Sequence, residues 1–132
     1  MCLSKTVKSE AEVVTTDSLA QLQQTLQAFV EARDWVQFHS PKNLAMAMIV
    51  EAAELVEHFQ WDTIEESHIL SDAKREQVSH ELADTFVYLL RISQVLNIDL
   101  IEAANKKIVL NALKYPVEKA RGKNNKYTDY ID

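Results

Sequence analysis

Between Leu44 and Phe59 the only polar residues are Glu51, Glu54, Glu57 and His58. That stretch is longer than ordinary strands, which run to about ten residues. Ser40-Pro41 just before it is a helix start, with the hydroxyl as N-cap and proline in the first turn. The pattern predicts a helix from Pro41 to Gln60 that is apolar almost all round. Such a helix must be covered on nearly every side. The whole chain holds one Gly and two Pro, which excludes a glycine-rich phosphate loop and the many tight turns of a β-sandwich. The expected fold is all-α.

Three further helices follow from periodicity. Asp17 and Ser18 are both good caps for a first helix, in which Leu19, Leu22, Leu26, Phe29 and Val30 form one apolar stripe ending near Asp34 or Trp35. A third helix is expected from Ala73 to Leu96, with Val78, Leu82, Phe86, Leu89 and Val95 inward. Its middle, "FVYLLRI", is apolar nearly all round. Asp99 with Glu102 starts a fourth helix, which runs to Tyr115 and stops before Pro116. "WDTIEESHILSD", residues 61–72, reads as a loop with a short helical turn. The organisation expected is an N-terminal tail over 1–16, one helical domain over 17–115 and a basic, polar tail over 116–132. Four helices with short connections suggest an antiparallel four-helix bundle. A small monomer covers one face of each helix, so the surplus apolar surface of helices two and three points to a dimer or a dimer of dimers.

Composition removes several classes of function. The net charge of −6 argues against a nucleic-acid polymer as partner, since sequence-independent binding needs a cationic footprint. The longest apolar run, Leu44 to Val50, covers seven residues, too short to cross a bilayer. The opening segment lacks the apolar core of a signal peptide. Cys2 is the sole cysteine, which suits a reducing, cytoplasmic setting. Four cations and no acid lie in "KARGKNNK", residues 119–126.

The chemistry is carried by acids. Residues three apart on a helix share a face, so Glu51 and Glu54 project together, with His58 one turn on. In "HELADTFVY" Glu81 and Asp84 repeat the arrangement, and Tyr88 continues it. Taken singly, such a pair is common on solvated faces. Two pairs on apolar helices are different, because carboxylates brought together away from water repel unless protons or cations compensate. A divalent cation compensates directly. Four carboxylates without a Cys or a histidine pair are hard oxygen ligands, suited to Mg²⁺ or Mn²⁺ rather than Zn²⁺. A di-iron bundle is disfavoured, since it needs two Glu-x-x-His elements on bundle helices. The sole instance here, Glu65 to His68, lies in the polar loop. A non-catalytic helical interaction module would explain the apolar surface, but not two matched acidic pairs.

E-x-x-E, a spacer of 26 residues and E-x-x-D on two helices resemble the MazG-like all-α nucleoside triphosphate pyrophosphohydrolases. "ARDWVQFHSPKNLAMAMIVEAAELVEHFQW", "ELADTFVYLLRIS", "KKIVLNALKYP" and "NKYTD" resemble the dCTP pyrophosphatase branch. The resemblance implies hydrolysis of a nucleoside triphosphate, such as dCTP or a modified dNTP, to the monophosphate and pyrophosphate. It implies that Glu51, Glu54, Glu81 and Asp84 hold Mg²⁺, with one of them, such as Glu54, as an alternative general base. It also implies a nucleoside pocket of Trp35, His39, Trp61 and Tyr88, with Lys107 on phosphate and Asn111 on sugar or base. Sites in this family form at a dimer interface, often within a homotetramer. One departure is a helix-one histidine of closer relatives, which is Leu26 here. Arg121, Lys123 and Lys126 are candidates for a cationic flap over the triphosphate.

Overall fold

The computed structural model describes residues 18–131. The N-terminal tail read from the sequence, residues 1–16, lies wholly outside them. Six helices follow one another: α1 (Ser18–Glu31), α2 (Pro41–Glu57), α3 (Ile64–Ser67), α4 (Asp72–Val95), α5 (Leu100–Lys114) and α6 (Val117–Ala120). Short 3₁₀ turns cover Val36–Phe38 and Tyr127–Tyr130. No strand occurs among the described residues. No helix among them is long and apolar enough to cross a membrane.

The helix starts obey their caps. Ser40 accepts from the Asn43 amide at 3.1 Å, and the Asn43 side chain donates to the Phe38 carbonyl at 3.0 Å, locking the entry angle of α2. Thr63 and Glu66 form a reciprocal capping box that starts α3, the short helical turn expected within the loop. Ser71 and Asp99 cap α4 and α5. The ends depart slightly from the periodicity. α1 stops three residues before Asp34, because the chain turns there and Asp34 takes φ 53°. Asn97, at φ 52°, likewise ends the α4 region. Aspartate and asparagine tolerate this left-handed geometry better than most residues.

Partner spacing gives the topology. His39 meets Arg91, Glu51 meets Glu81 and Asp84, and Asp62 meets Lys74, so α2 and α4 run antiparallel. Gln23 with Gln94 and Gln27 with Arg91 set α1 antiparallel to α4 as well. Lys74 Nζ lies 2.6 Å from Asp62 and 5.2 Å from the Phe59 ring centroid, pinning the end of α2 to the start of α4. Val30, Leu44, Val78 and Leu90 form the buried apolar core of the described residues.

The fourth long helix does not join this core. α5 contains no buried residue; Ile108, Val109 and Leu113 are 64%, 63% and 74% exposed. Met46, Ile49 and Val56 on α2 are exposed too. The bundle of three helices therefore carries apolar faces that the described residues leave open. Beyond α5 the segment expected to be a plain tail is ordered onto that helix's end. Tyr115 and Tyr130 meet edge to face at 6.0 Å, and Lys119 Nζ donates to the Tyr130 carbonyl at 3.0 Å. Gly122, the sole glycine, takes φ 72° in the turn between.

Leu90 has no solvent exposure, so Leu90→Ala is expected to cost about 2–5 kcal/mol by lost transfer energy and a residual cavity. Denaturant unfolding at matched protein concentration measures it.

Candidate active site: an acidic cluster beside an aromatic pocket

Packing α2 against α4 brings acids from both helices to one place. One carboxylate oxygen from each of Glu51, Glu81 and Asp84 lies within 4.8 Å of the others. Burial raises the Glu51 pKa above its ordinary value, and the charges of Glu54, Asp84 and Glu81 raise it further. The four acids thus share one electrostatic field. Only three of them converge. Glu54 is exposed and contributes no oxygen to the trio. His58 Nε2 stands 3.8 Å from Glu81 Oε1, at the other side of the group.

The donor set fits a hard divalent cation. Opposite ligands on such an ion, at bond lengths of about 2.1–2.5 Å, lie about 4–5 Å apart. The trio already spans that distance, and its mutual repulsion is the imbalance that a cation removes. It is therefore a cluster able to hold a metal ion.

Next to it lies a cavity of about 240 Å³. α1 supplies Leu26, Phe29 and Val30, the connection to α2 supplies Trp35 and His39, and α4 supplies Asp84, Val87, Tyr88 and Arg91. The turn after α1 builds the aromatic wall: the Trp35 amide donates to the Val30 carbonyl at 3.1 Å, and Trp35 meets Phe29 edge to face at 5.7 Å. The Arg33 guanidinium caps the Phe29 ring at 3.6 Å. At this volume the cavity falls below the range of about 300–1,000 Å³ for whole-ligand sites. It suits one ring. Asp84 belongs to both the cavity and the acidic trio, so a molecule with a ring in the one reaches the other. A wider hollow of about 1,000 Å³ lies at the α4–α5 turn, bordered by Gln94, Asn97 and Asp99. It begins about 15 Å along α4 from Asp84, and its one acid, Asp99, is engaged as a cap.

The polar side of the cavity rests on Arg91. Its Nε donates to His39 Nδ1 at 3.1 Å, and its Nη1 donates to the side-chain oxygens of Gln27 and, at 3.3 Å, Gln94. Burial lowers the His39 pKa, and the nearby guanidinium lowers it further. Burial also lowers the Arg91 pKa, against an opposing pull from Glu31.

The expected site residues therefore divide. Glu51, Glu81 and Asp84 come together, and Trp35, His39 and Tyr88 line the adjoining cavity. Glu54 stands at the margin. Trp61 is 88% exposed, while Lys107 and Asn111 are exposed on α5; none of these three lines the cavity. Arg121, Lys123 and Lys126 form no ion pair among the described residues. Arg91 was missed from sequence. Its signal was there, as the lone charge within the apolar run of α4. Leu26 and Phe29, expected in the core stripe, face the cavity instead.

The model of the MazG-like family matches residues 46–130. dCTP pyrophosphatase 1 of Bos taurus is 40% identical over 103 residues, covering 76% of this chain and 61% of that protein. The Homo sapiens protein of the same name is 38% identical over the same coverage. The chain thus spans about three-fifths of the length of these curated relatives. Among solved structures, a pyrophosphatase from Archaeoglobus fulgidus is similar with a TM-score of 0.71 and 37% identity, over 74% of this chain and 92% of that one. With its acidic helices and most of its length matched, this chain belongs to the MazG-like family, on the branch that resembles dCTP pyrophosphatases.

Proposed function

We propose that the chain is a Mg²⁺-dependent nucleoside triphosphate pyrophosphohydrolase, acting on dCTP or a modified dNTP and releasing the monophosphate and pyrophosphate. The observation that carries this reading is Asp84, which the acidic trio and the aromatic cavity share. A base stacked in the cavity would extend its phosphates toward the carboxylates. Trp35 and Tyr88 offer faces for stacking. Glu51, Glu81 and Asp84 would hold the cation, for which Mn²⁺ is the nearest substitute. When bound, the ion neutralises charge on phosphate oxygens and acts as a Lewis acid. Glu54, adjacent to the trio but outside it, is the candidate general base for the attacking water.

The open apolar faces of α2 and α5 support a homodimer or homotetramer. In such an assembly Lys107, Asn111 and Trp61 would serve the site of another subunit, the first on phosphate and the others on the nucleoside. The acidic chain and the absence of a membrane-crossing helix among the described residues fit a cytoplasmic enzyme of nucleotide-pool sanitation. A non-catalytic nucleotide-binding or interaction module is the competing reading, favoured by the same exposed faces.

With Mg²⁺ and a panel of dNTPs, pyrophosphate release is expected to be fastest on dCTP or a modified cytosine nucleotide. Asp84→Asn should lower that rate by on the order of a hundredfold or more while circular dichroism stays unchanged. Undiminished turnover in this variant would remove the carboxylates from the mechanism, and no release from any nucleotide would favour the binding module.

The acids also give a pH signature. A raised Glu51 pKa means that the metal-free fold is most stable with Glu51 protonated and loses stability as pH rises through the elevated value. A cation needs the deprotonated form. The rise in melting temperature caused by Mg²⁺ should therefore be absent at about pH 4 and grow toward about pH 7. Thermal scans with and without Mg²⁺ read it directly; an increment independent of pH would count against the trio as ligands.

For the assembly, the double change Ile108→Asp with Leu113→Asp is expected to shift the chain toward monomer in analytical ultracentrifugation and to lower turnover together with mass. A wild-type chain that sediments as a monomer while fully active would contradict it.

A further inference from the structure

Arg91 is 4% exposed and takes part in none of the ion pairs among the described residues. Its hydrogen bonds run to neutral groups: His39 Nδ1 and the side-chain oxygens of Gln27 and Gln94. These anchors are themselves fixed. Gln94 donates to the Gln23 carbonyl at 2.8 Å, and Gln27 donates to a Glu31 oxygen, so the arrangement is tied to α1 from two sides.

A guanidinium has donors and no acceptor. An imidazole nitrogen facing its Nε–H must therefore offer a lone pair. An imidazolium has none to offer, and a neutral ring with a bare Nδ1 carries its proton on Nε2. The lowered His39 pKa agrees with a ring kept neutral. Since Nδ1 is engaged, Nε2–H is the ring's remaining polar group, and the ring lines the cavity. Nη2 of Arg91 makes no hydrogen bond among the described residues.

We propose that Arg91 is a positioning residue that holds His39 as a fixed hydrogen-bond donor on the cavity wall, and that this donor selects a ring whose edge offers an acceptor. This rests on the nucleotide reading above and deepens it. Cytosine places acceptors side by side at N3 and O2, whereas thymine and uracil carry a donor at N3. A donor-lined wall meeting N–H leaves both groups unpaired, which costs more than a hydrogen bond contributes. Where the ring presents its N3 edge, the arrangement thus favours cytosine over thymine and uracil.

The test uses the full chain labelled with ¹⁵N-histidine, in long-range ¹⁵N–¹H correlation spectra at neutral pH. His39 is expected to show an unprotonated Nδ1 and a protonated Nε2, and in Arg91→Met the two nitrogen shifts should converge as the tautomers mix. In parallel, Arg91→Met should raise KM for dCTP roughly five- to tenfold, the loss of about one oriented hydrogen bond, with a smaller effect on kcat. KM for a triphosphate carrying an apolar base isostere should not move. Gln27→Leu, which removes an anchor of the guanidinium without touching Arg91 or His39, should shift the same nitrogens by less; it replaces Arg91→Met if that variant loses helicity. A wild-type His39 protonated on Nδ1, or nitrogen shifts unmoved in the variants, would overturn the lock. Equal rises in KM for dCTP and the isostere would overturn the selection. Absence of turnover on any nucleotide in the wild type would sink the nucleotide reading and the donor's role toward a base, while the nitrogen shifts would still decide the lock.

Discussion

Helices α2 and α4 can lie side by side only if the negative charge they carry into their seam is tolerated. Glu51, Glu81 and Asp84 meet there, with Glu54 beside them and His58 on Glu81. Contacts at its two ends hold the seam closed despite this repulsion. The Lys74–Asp62 pair, braced on Phe59, ties one end. The Arg91–His39 hydrogen bond ties the other. Buried Leu44 and Leu90 add the apolar contribution of the two facing helices. Like charges brought together away from water repel unless protons or a cation compensate.

The seam also organises the neighbouring cavity. Asp84 and Tyr88 sit one turn apart on α4 and look toward α1 and the connection to α2. That connection is short because Asp34 turns the chain in a left-handed conformation, bringing Trp35 back against Phe29 and Val30. A charged compartment and an aromatic one then stand wall to wall.

Much of this was legible in the sequence because it rests on local rules. The 3.6 period placed the four long helices, and the caps at Ser40, Ser71 and Asp99 placed three of their starts. The acidic pairs were visible because charge on an apolar helix stands out. What escaped the sequence depends on long-range geometry. Nothing local says that Glu54 stays outside the trio while Glu51 joins it, since both share a helix face. Arg91 stood out as a charge in an apolar run, but its partners Gln27 and His39 lie far away along the chain, so its role did not show. The standing-off of α5 was hidden as well, because an amphipathic pattern announces that a face is to be covered and not by what.

The double membership of Asp84 bears on how such a protein diversifies. A change there disturbs ring binding and charge balance at once, so it is a poor place for a lineage to experiment. The opposite wall, formed by Leu26, Phe29 and the turn through Trp35, shares no residue with the carboxylates. Substitutions on that wall can remodel the cavity while the seam keeps its chemistry. Leu26 lies on it. The charged seam and the wall that can be remodelled thus lie on different helices.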